Sequence, residues 1–311
     1  MPKDLALAIA AGLVSALLFL SMLTGAAAGL LFTYVAPLPV IAVGLALGLR
    51  MATVAAAVGA MAVMLPTGVA GLIPYAAAVL LPGLLLTRQA LLWRDLGEGR
   101  VEWFPVGLIV AWLCGAGLVM LGLGAAYAAS GEAGIEGAVR QVLVEALAGM
   151  APNLTPAERG EVAGHWAPFL PAAMAGAWLV SALVNGGLAQ WLVEKVGRNI
   201  RPTPDYRELE LPVWMGVALP LALATGMMAG GDAGFVAGNV AVLLALPFVM
   251  LGLAGLHRAV AGRRNAGLIL AAAYGMMLIS GVAIPVIAAL GFVRHWTRLR
   301  RAKPGGGTED E

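Results

Sequence analysis

Long apolar runs alternate with short polar segments along almost the whole chain. The polar breaks fall near residues 35, 50, 67, 88 to 103, 130 to 165, 195 to 210, 230, 257 to 265 and 281. Backbone amides in hydrocarbon must be paired within their own segment, and the runs lack the two-residue alternation of a membrane β-barrel, so we expect helices. The predicted membrane spans are 5–31, 37–49, 51–66, 71–93, 104–129, 166–196, 211–229 and 235–257.

The last apolar stretch, residues 266–296, is longer than one membrane crossing needs and shorter than two full crossings need. As a single helix it would be about 45 Å long, against a hydrocarbon core of roughly 30 Å. Two crossings of about 14 residues would each reach only some 21 Å. Gly281 and Pro285 mark a natural break in the stretch. We therefore predict a short, partly re-entrant hairpin shielded by other helices, with one long tilted helix as the alternative.

The placement of basic residues favours two crossings in this stretch. With the N-terminus in the cytoplasm, twelve of the 19 Lys and Arg residues fall on the cytoplasmic side: Lys3, Arg50, Arg88, Arg94, Arg100, Lys195, Arg198, Arg201, Arg207, Arg258, Arg263 and Arg264. Only Arg140 and Arg159 fall outside. The remaining bases, Arg294, Arg298, Arg300, Arg301 and Lys303, obey the positive-inside rule only if residues 266–296 cross twice. We predict a multi-pass protein of the bacterial inner membrane with both termini in the cytoplasm.

Residues 130–165 form the one sizeable polar segment on the predicted outer side. Over residues 135–147, apolar side chains recur at helical spacing opposite charged ones, which predicts an amphipathic helix. Thr155, followed by Pro156 and Glu158, has the pattern of a helix start with Thr155 as N-cap. This extracytoplasmic segment is interpreted either as a lid over a pocket or as a solvated connector.

Composition agrees with this pattern. Hydrophobic residues make up 61% of the chain and charged residues 12%, with a mean hydropathy of +0.90, whereas soluble domains have about 25% charged residues. The fold class predicted is all-α, a polytopic transmembrane helical bundle with about eight to ten membrane segments, including short or re-entrant helices. We expect one integral-membrane domain over residues 1–300, a disordered cytoplasmic tail over 301–311, and no nucleic-acid partner.

The sequence offers little for catalysis. It contains no P-loop, no H-E-x-x-H and no G-x-S-x-G motif, and His165, His257 and His295 are far apart along the chain. The single Cys114 excludes an intramolecular disulfide and a multi-cysteine metal site. We expect no enzyme activity, no cofactor and no bound metal.

A few polar and aromatic residues in or beside the spans are candidates for ligand binding: His165, Trp166, Ser181, Asn185, Asn239 and Tyr274. His165 and Trp166 lie at the outer end of a span, where an interfacial pair is the alternative interpretation. Ser181 and Asn185 share a helix face at i, i+4, and an amide inside a membrane needs partners. Those partners are either a neighbouring helix or a ligand.

Three segments resemble the YybS-like family of bacterial membrane proteins, domain of unknown function 2232. They are "YVAPLPVIAVGLALGLR", the basic loop leading into "LELPVW", and the final hairpin followed by "LGFVRHWTRLRR". That family is distantly similar to the substrate-binding membrane subunits of energy-coupling factor transporters. The resemblance implies a separate coupling protein and ATPase as partners, with Ala6 and Ala10 of the first helix as an A-x-x-x-A contact.

Two functions follow as hypotheses. The first is a non-enzymatic inner-membrane protein, related to transport, that binds a small molecule or membrane lipid within the bundle and takes energy from partner proteins. The second is a membrane scaffold that recruits cytoplasmic or envelope partners through its basic inner loops and tail. An integral lipid-modifying enzyme is disfavoured because the spans carry no catalytic constellation.

Overall fold

A computed structural model of the chain describes residues 2–25, 27–131 and 133–302. Within these ranges the chain forms two compact units. The first unit comprises residues Met1–Leu113 and Ala177–Pro204, and the second comprises Cys114–Gly176 and Asp205–Glu311. The single domain over residues 1–300 stays a prediction.

The first unit begins with α1 (Pro2–Leu20), a 3-10 turn (Ser21–Thr24), α2 (Ala27–Val35) and α3 (Pro37–Leu47). The predicted single span 5–31 is wrong, because the chain turns at Gly25, whose φ is 68°. The Ser21 hydroxyl donates to the Leu18 carbonyl over 2.6 Å and so stabilises the start of this turn. The predicted span 37–49 is also wrong as a separate crossing. Instead, α2 and α3 together supply one apolar stretch of crossing length, Ala28–Leu47.

A helical hairpin follows in the first unit. It consists of α4 (Leu49–Tyr75), a π-helical turn (Ala76–Leu80) and α5 (Leu81–Ala90). Gly68 interrupts α4 with φ 64° and ψ −161°, a conformation that is essentially restricted to glycine. A Cβ on Gly59 would overlap the Tyr75 hydroxyl, so the chain beyond Gly68 folds back along the chain before it. The break predicted near residue 67 is confirmed.

Small residues allow α1 to pack closely on this hairpin. A Cβ on Gly12 would overlap the Ala55 carbonyl, and Ala8 and Ala16 on the same face of α1 are buried. The Phe19 and Tyr75 rings meet edge to face with centroids 5.1 Å apart. A short antiparallel hairpin of β1 (Trp93–Asp95), which is exposed, and β2 (Val101–Trp103), which is partly buried, follows α5.

Two long helices contribute residues to both units. Helix α6 (Val106–Ala128) changes unit after Leu113, and α9 (Leu170–Lys195) changes unit after Gly176. The second unit also contains α7 (Gly134–Met150) and α8 (Pro156–Trp166). Helix α7 confirms the amphipathic helix predicted over 135–147. At the start of α8 the Thr155 hydroxyl accepts the Glu158 N–H over 3.3 Å, which confirms the predicted N-cap.

The remaining helices of the second unit are α10 (Val213–Met228), α11 (Gly231–Val260), α12 (Ala266–Ser280) and α13 (Ala283–Ala302). Gly281, with φ 65°, separates α12 from α13, so the predicted break is confirmed and the alternative of one long helix is wrong. Helix α13 crosses α11 closely, because a Cβ on Gly252 or Gly291 would overlap the other helix's backbone. The predicted tail begins too early: Arg301 and Ala302 end α13, and residues 303–311 lie outside the described ranges.

Six helical stretches in the described ranges are long and apolar enough to cross a membrane: Pro2–Thr24, Ala28–Leu47, Leu49–Ala90, Val106–Ala128, Leu170–Lys195 and Gly231–Val260. The Gly68 hairpin divides the third into two arms. Val213–Met228 and Ala266–Ser280 are shorter apolar helices. The chain is therefore a polytopic, all-α membrane protein, as its apolar pattern predicts.

Candidate functional site

The second unit contains an apolar cleft of about 330 Å³ between α7, α8 and the start of α9. Its walls are Leu143, Leu147, Val162, Trp166, Phe169, Leu170 and Ala173. The volume lies at the lower end of the range for small-molecule sites, about 300 to 1,000 Å³. A cleft with this lining offers hydrophobic contact and two aromatic rings, those of Trp166 and Phe169, and none of the lining side chains carries a charge.

Asn239 of α11 holds the wall of the cleft that α9 provides. Its Nδ2 donates to the Pro168 carbonyl over 3.0 Å, and its Oδ1 accepts the Ala172 N–H over 2.8 Å. Pro168 and Ala172 flank the lining residues Phe169 and Leu170. Ala172 lies in the first turn of α9, where backbone N–H groups have no partner within the helix. Asn239, with 3% of its surface exposed, thus positions the cleft wall without lining the cleft.

The other side of the cleft is formed by α7, and Asp232 fixes the start of that helix. Asp232 of α11 accepts the Ile135 N–H through Oδ1 over 2.9 Å, directly after Gly134 with its φ of 69°. A carboxylate at a helix N-terminus is favoured by the helix dipole. Sequence reasoning missed Asp232. The signal available was an acidic residue directly after Gly230 and Gly231, at the start of an apolar run.

The two helices above the cleft are also joined to each other. Arg140 of α7 donates through Nη2 to the Gly160 carbonyl of α8 over 3.0 Å. A Cβ on Gly164 would lie 3.6 Å from the Arg140 guanidinium, so the arginine lies along the α8 surface. Helices α7 and α8 therefore form a connected cover that is attached to α11 through Asp232. We call these two helices the α7–α8 cover.

His165 and Trp166, both predicted as ligand-binding residues, lie at the edge of the cleft. Their rings meet edge to face with centroids 5.5 Å apart, and His165 is exposed. Trp166 lines the cleft although 58% of its surface is exposed. The cleft is therefore open beside Trp166, and its rim carries an aromatic ring and an imidazole.

Ser181 and Asn185 lie in the first unit, and their side chains hydrogen-bond a backbone carbonyl near the end of α2. The Tyr34 carbonyl accepts hydrogen bonds from Ser181 Oγ over 2.9 Å and from Asn185 Nδ2 over 2.7 Å. The Ala36 carbonyl, two residues later, accepts one from Ser15 Oγ over 2.7 Å. Pro37, which has no N–H, follows at once, so the local backbone offers fewer donors at this break. The neighbouring-helix interpretation of these two residues describes the contacts observed, and their binding role stays a prediction.

Tyr274, Ala6 and Ala10 lie in other places. Tyr274 is 40% exposed on α12, and its ring centroid is 6.0 Å from that of His257. Ala6 and Ala10 are exposed on α1, on a different face from the buried Ala8. The predicted binding residues therefore do not converge on one site. Of these residues Trp166 lines the cleft, His165 lies at its edge and Asn239 positions one of its walls.

A second polar cluster, which sequence reasoning missed, anchors the loop after α9 in the first unit. Gln190 donates through Nε2 to the Arg201 carbonyl over 3.0 Å and to Thr203 Oγ1 over 3.1 Å. Arg201, 6% exposed, donates through Nη1 to the Ala90 carbonyl over 3.2 Å. In the described part of the chain, no group of three His, Cys, Asp or Glu residues could hold a metal ion.

A family model described as "Predicted membrane protein (DUF2232)" matches residues 13–293. The chain belongs to the DUF2232 family. The matched range runs from α1 into α13 and includes the whole cleft and the α7–α8 cover of this DUF2232 protein. Searches of curated proteins and of solved structures each give no significant match.

Proposed function

We propose that this DUF2232 protein binds a small apolar or amphipathic molecule in the cleft beneath the α7–α8 cover. The observation that carries the proposal is an apolar cleft in the second unit of a membrane protein, covered by two helices that are tied to each other and to α11. A lipid or an apolar solute matches the uncharged lining. His165 at the rim offers a polar contact for one end of such a molecule.

The proposed role is a non-enzymatic, transport-related subunit that takes energy from another protein. The chain has no P-loop, so ATP hydrolysis by that motif would come from a partner. The family resemblance described from the sequence, which implies a distant similarity to substrate-binding subunits of energy-coupling factor transporters, is the reason for proposing a separate coupling protein and ATPase. Ala6 and Ala10, exposed small residues on α1, are suited to close contact with a helix of the coupling protein.

A membrane scaffold is the second proposal, and exposed arginines favour it. Arg263 and Arg264 between α11 and α12 are exposed, as are Arg300 and Arg301 at the end of α13. We place these residues in the cytoplasm of a bacterial inner-membrane protein, as the positive-inside rule favours. Crosslinking in intact cells that captures neither partner proteins nor self-association would exclude the scaffold.

The binding proposal is tested by a ligand screen on the purified full-length protein. Cys114 is the one cysteine of the chain and is buried, so a thiol-reactive dye reports unfolding as temperature rises. We expect at least one compound in a panel of lipids, vitamins and metal salts to raise the unfolding temperature. Native mass spectrometry would then show that the same compound stays bound.

The Trp166→Ala variant distinguishes binding in the cleft from binding elsewhere on the protein. Trp112→Ala is the matched control, because Trp112 is exposed to a similar degree, 54% against 58%, and does not line the cleft. We expect the stabilising compound to bind the Trp112→Ala protein normally and the Trp166→Ala protein at least about tenfold more weakly, a loss of about 1.4 kcal/mol. Equal binding to both variants, or no stabilising compound at all, would exclude the cleft as the binding site.

A further inference from the structure

Two arginine side chains of the second unit meet at a single backbone oxygen. Arg258, in the last turn of α11, and Arg294, in α13, both donate through Nη2 to the carbonyl oxygen of Arg207. The Arg294 hydrogen bond is 3.2 Å long. Two donors that share one acceptor lie within roughly 6 Å of each other. The two guanidinium groups are therefore neighbours, and we call them the arginine pair.

The described part of the chain supplies no carboxylate to either member of the pair. The ion pair found beside it in the described ranges joins Arg298 to Glu210. Asp205, two residues before Arg207, accepts the Arg207 N–H through Oδ1 over 2.8 Å and caps that turn. Glu208, the residue after Arg207, forms no ion pair with either arginine within the described ranges. Like charges at this separation repel each other unless an anion lies between them. The arrangement thus favours the binding of an anion that the described residues do not supply, next to the two guanidinium groups.

The crossing of α11 and α13 fixes one member of the pair in place. Arg294 is partly buried, and its Nη1 donates to the Leu251 carbonyl over 3.2 Å. The guanidinium occupies the space beside Gly255, where an added Cβ would lie 2.9 Å from Nη1. Gly252 and Gly291 allow the two helix backbones to approach closely enough for this contact. Arg294 is therefore held by backbone groups and is not a freely moving surface side chain.

The surroundings of the pair are those of a membrane interface. Helix α13 is apolar as far as Val293 and strongly basic from Arg294 onward. Trp296, two residues after Arg294, is partly buried, and Trp214 at the start of α10 is 45% exposed. Tryptophan and arginine at the ends of apolar helices mark the level of lipid headgroups. The nearby α12 presents apolar side chains with no buried residue among them, a surface suited to acyl chains.

We propose that the arginine pair binds the phosphate group of an anionic phospholipid. A guanidinium has five N–H donors in a planar fork that suits phosphate oxygens. After the hydrogen bonds to the Arg207 and Leu251 carbonyls, each arginine keeps further N–H groups, so two neighbouring guanidinium groups would hold one phosphodiester together. A lipid is favoured over free phosphate because the pair lies where apolar helices end. The site is separate from the cleft, so the proposal does not depend on the proposed function.

The test measures lipid binding to purified full-length protein in a non-ionic detergent. Native mass spectrometry would follow binding of dioleoyl phosphatidylglycerol and of dioleoyl phosphatidylcholine, and inorganic phosphate would be added as a competitor. The unaltered protein should bind one phosphatidylglycerol about tenfold more tightly than phosphatidylcholine. The Arg258→Gln, Arg294→Gln double variant should lose this preference.

Arg263→Gln, Arg264→Gln is the matched control, since it removes two positive charges from the exposed loop directly after α11. It should change phosphatidylglycerol binding by less than about twofold. An equal loss in both double variants would overturn the proposal, because binding would then follow net charge alone. Full displacement of the lipid by millimolar phosphate would overturn the lipid assignment and leave a free-phosphate site.

A third variant keeps the test decisive if the double variant does not fold, which Cys114 labelling would reveal. Arg294→Lys keeps the charge and removes the fork. It should retain the unfolding temperature of the unaltered protein while losing most of the tenfold preference. Undiminished phosphatidylglycerol binding by Arg294→Lys would overturn the paired-fork site.

Discussion

Polar side chains within this apolar chain hydrogen-bond backbone groups at helix ends. Ser15, Ser181 and Asn185 donate to carbonyls beside the break before Pro37. Asn239 and Asp232 accept N–H groups in the first turns of α9 and α7. Because lipid supplies no hydrogen bonds, each helix end within the bundle needs such a partner. These residues therefore secure the fold, and two of them also shape the cleft.

Asn239→Ala should destabilise the second unit and weaken binding in the cleft. The substitution leaves the Ala172 N–H and the Pro168 carbonyl without their observed partner, and such buried groups cost about 1 to 3 kcal/mol each. Thermal unfolding, monitored through the labelling of Cys114 by a thiol-reactive dye, would show the lower transition temperature. Asn265→Ala is the control, since Asn265 makes no side-chain cap at the start of α12. A variant as stable as the control would contradict the assigned role of Asn239.

The start of α8 should become less stable in acid. The hydrogen bond from the Thr155 backbone N–H, and secondarily that from the Thr155 hydroxyl, lowers the pKa of Glu158 from its ordinary value of 4.5. A carboxyl whose pKa is lower in the folded state stabilises the fold above its unfolded pKa, and this stabilisation is lost as pH falls through the folded value. The stabilisation by the Glu158 carboxylate is therefore lost over a pH range that begins near 4.5 and extends to lower pH.

Hydrogen exchange at the Glu158 and Arg159 amides, corrected for the intrinsic effect of pH, would measure this loss. Protection should be constant from pH 7 to about 5 and should decrease below about 4. In Thr155→Ala the capping hydroxyl is absent, so protection should be lower already at pH 7 and should change less with acid. Protection that is independent of pH in the unaltered protein would contradict the prediction.

At the scale of elements, glycine and proline determined where apolar runs break. The breaks near Gly68 and at Gly281 were predictable because punctuating residues interrupt otherwise uniform runs, and both glycines have a positive φ. The break at Gly25 was not predictable from the apolar pattern, since "TGAAAGLLF" continues it without a charge. A single glycine in such a run is compatible with helix, and tertiary contacts select the turn.

In the α7–α8 cover, neighbouring residues determine the two helices, whereas a residue distant in sequence determines how they are attached. The amphipathic spacing of α7 and the Thr155 cap of α8 are local signals, and both helices were predicted. Their attachment to α11 through Asp232 joins residues 97 positions apart in the sequence. No local pattern contains a contact of that separation, so the cover and its cleft appear only in the folded chain.

For the whole molecule, the positive-inside rule gives a topology that labelling can test. In a Cys114→Ala background, Val282→Cys places a thiol at an exposed position between α12 and α13, beside the Gly281 turn. Thr308→Cys places one in the C-terminal tail. If residues 266–296 cross twice, a membrane-impermeant reagent added to intact cells should label Val282→Cys and not Thr308→Cys.

Inverted vesicles provide the reciprocal control for this labelling. There the same reagent should reach Thr308→Cys and should no longer reach Val282→Cys. Labelling of Val282→Cys from the cytoplasmic face would exclude two crossings and would leave α12 and α13 on one side of the bilayer.

The sequence by itself determined that this is a helical, polytopic membrane protein of the DUF2232 family, because apolar composition, run length and family motifs are properties of the chain alone. It also determined the cap of α8 and the breaks near Gly68 and at Gly281, which depend on neighbouring residues. Only the tertiary structure decided what the intramembrane amides contact, where the cleft lies and that Arg258 meets Arg294. These are contacts between residues distant in sequence, and their partners are fixed by how the helices pack.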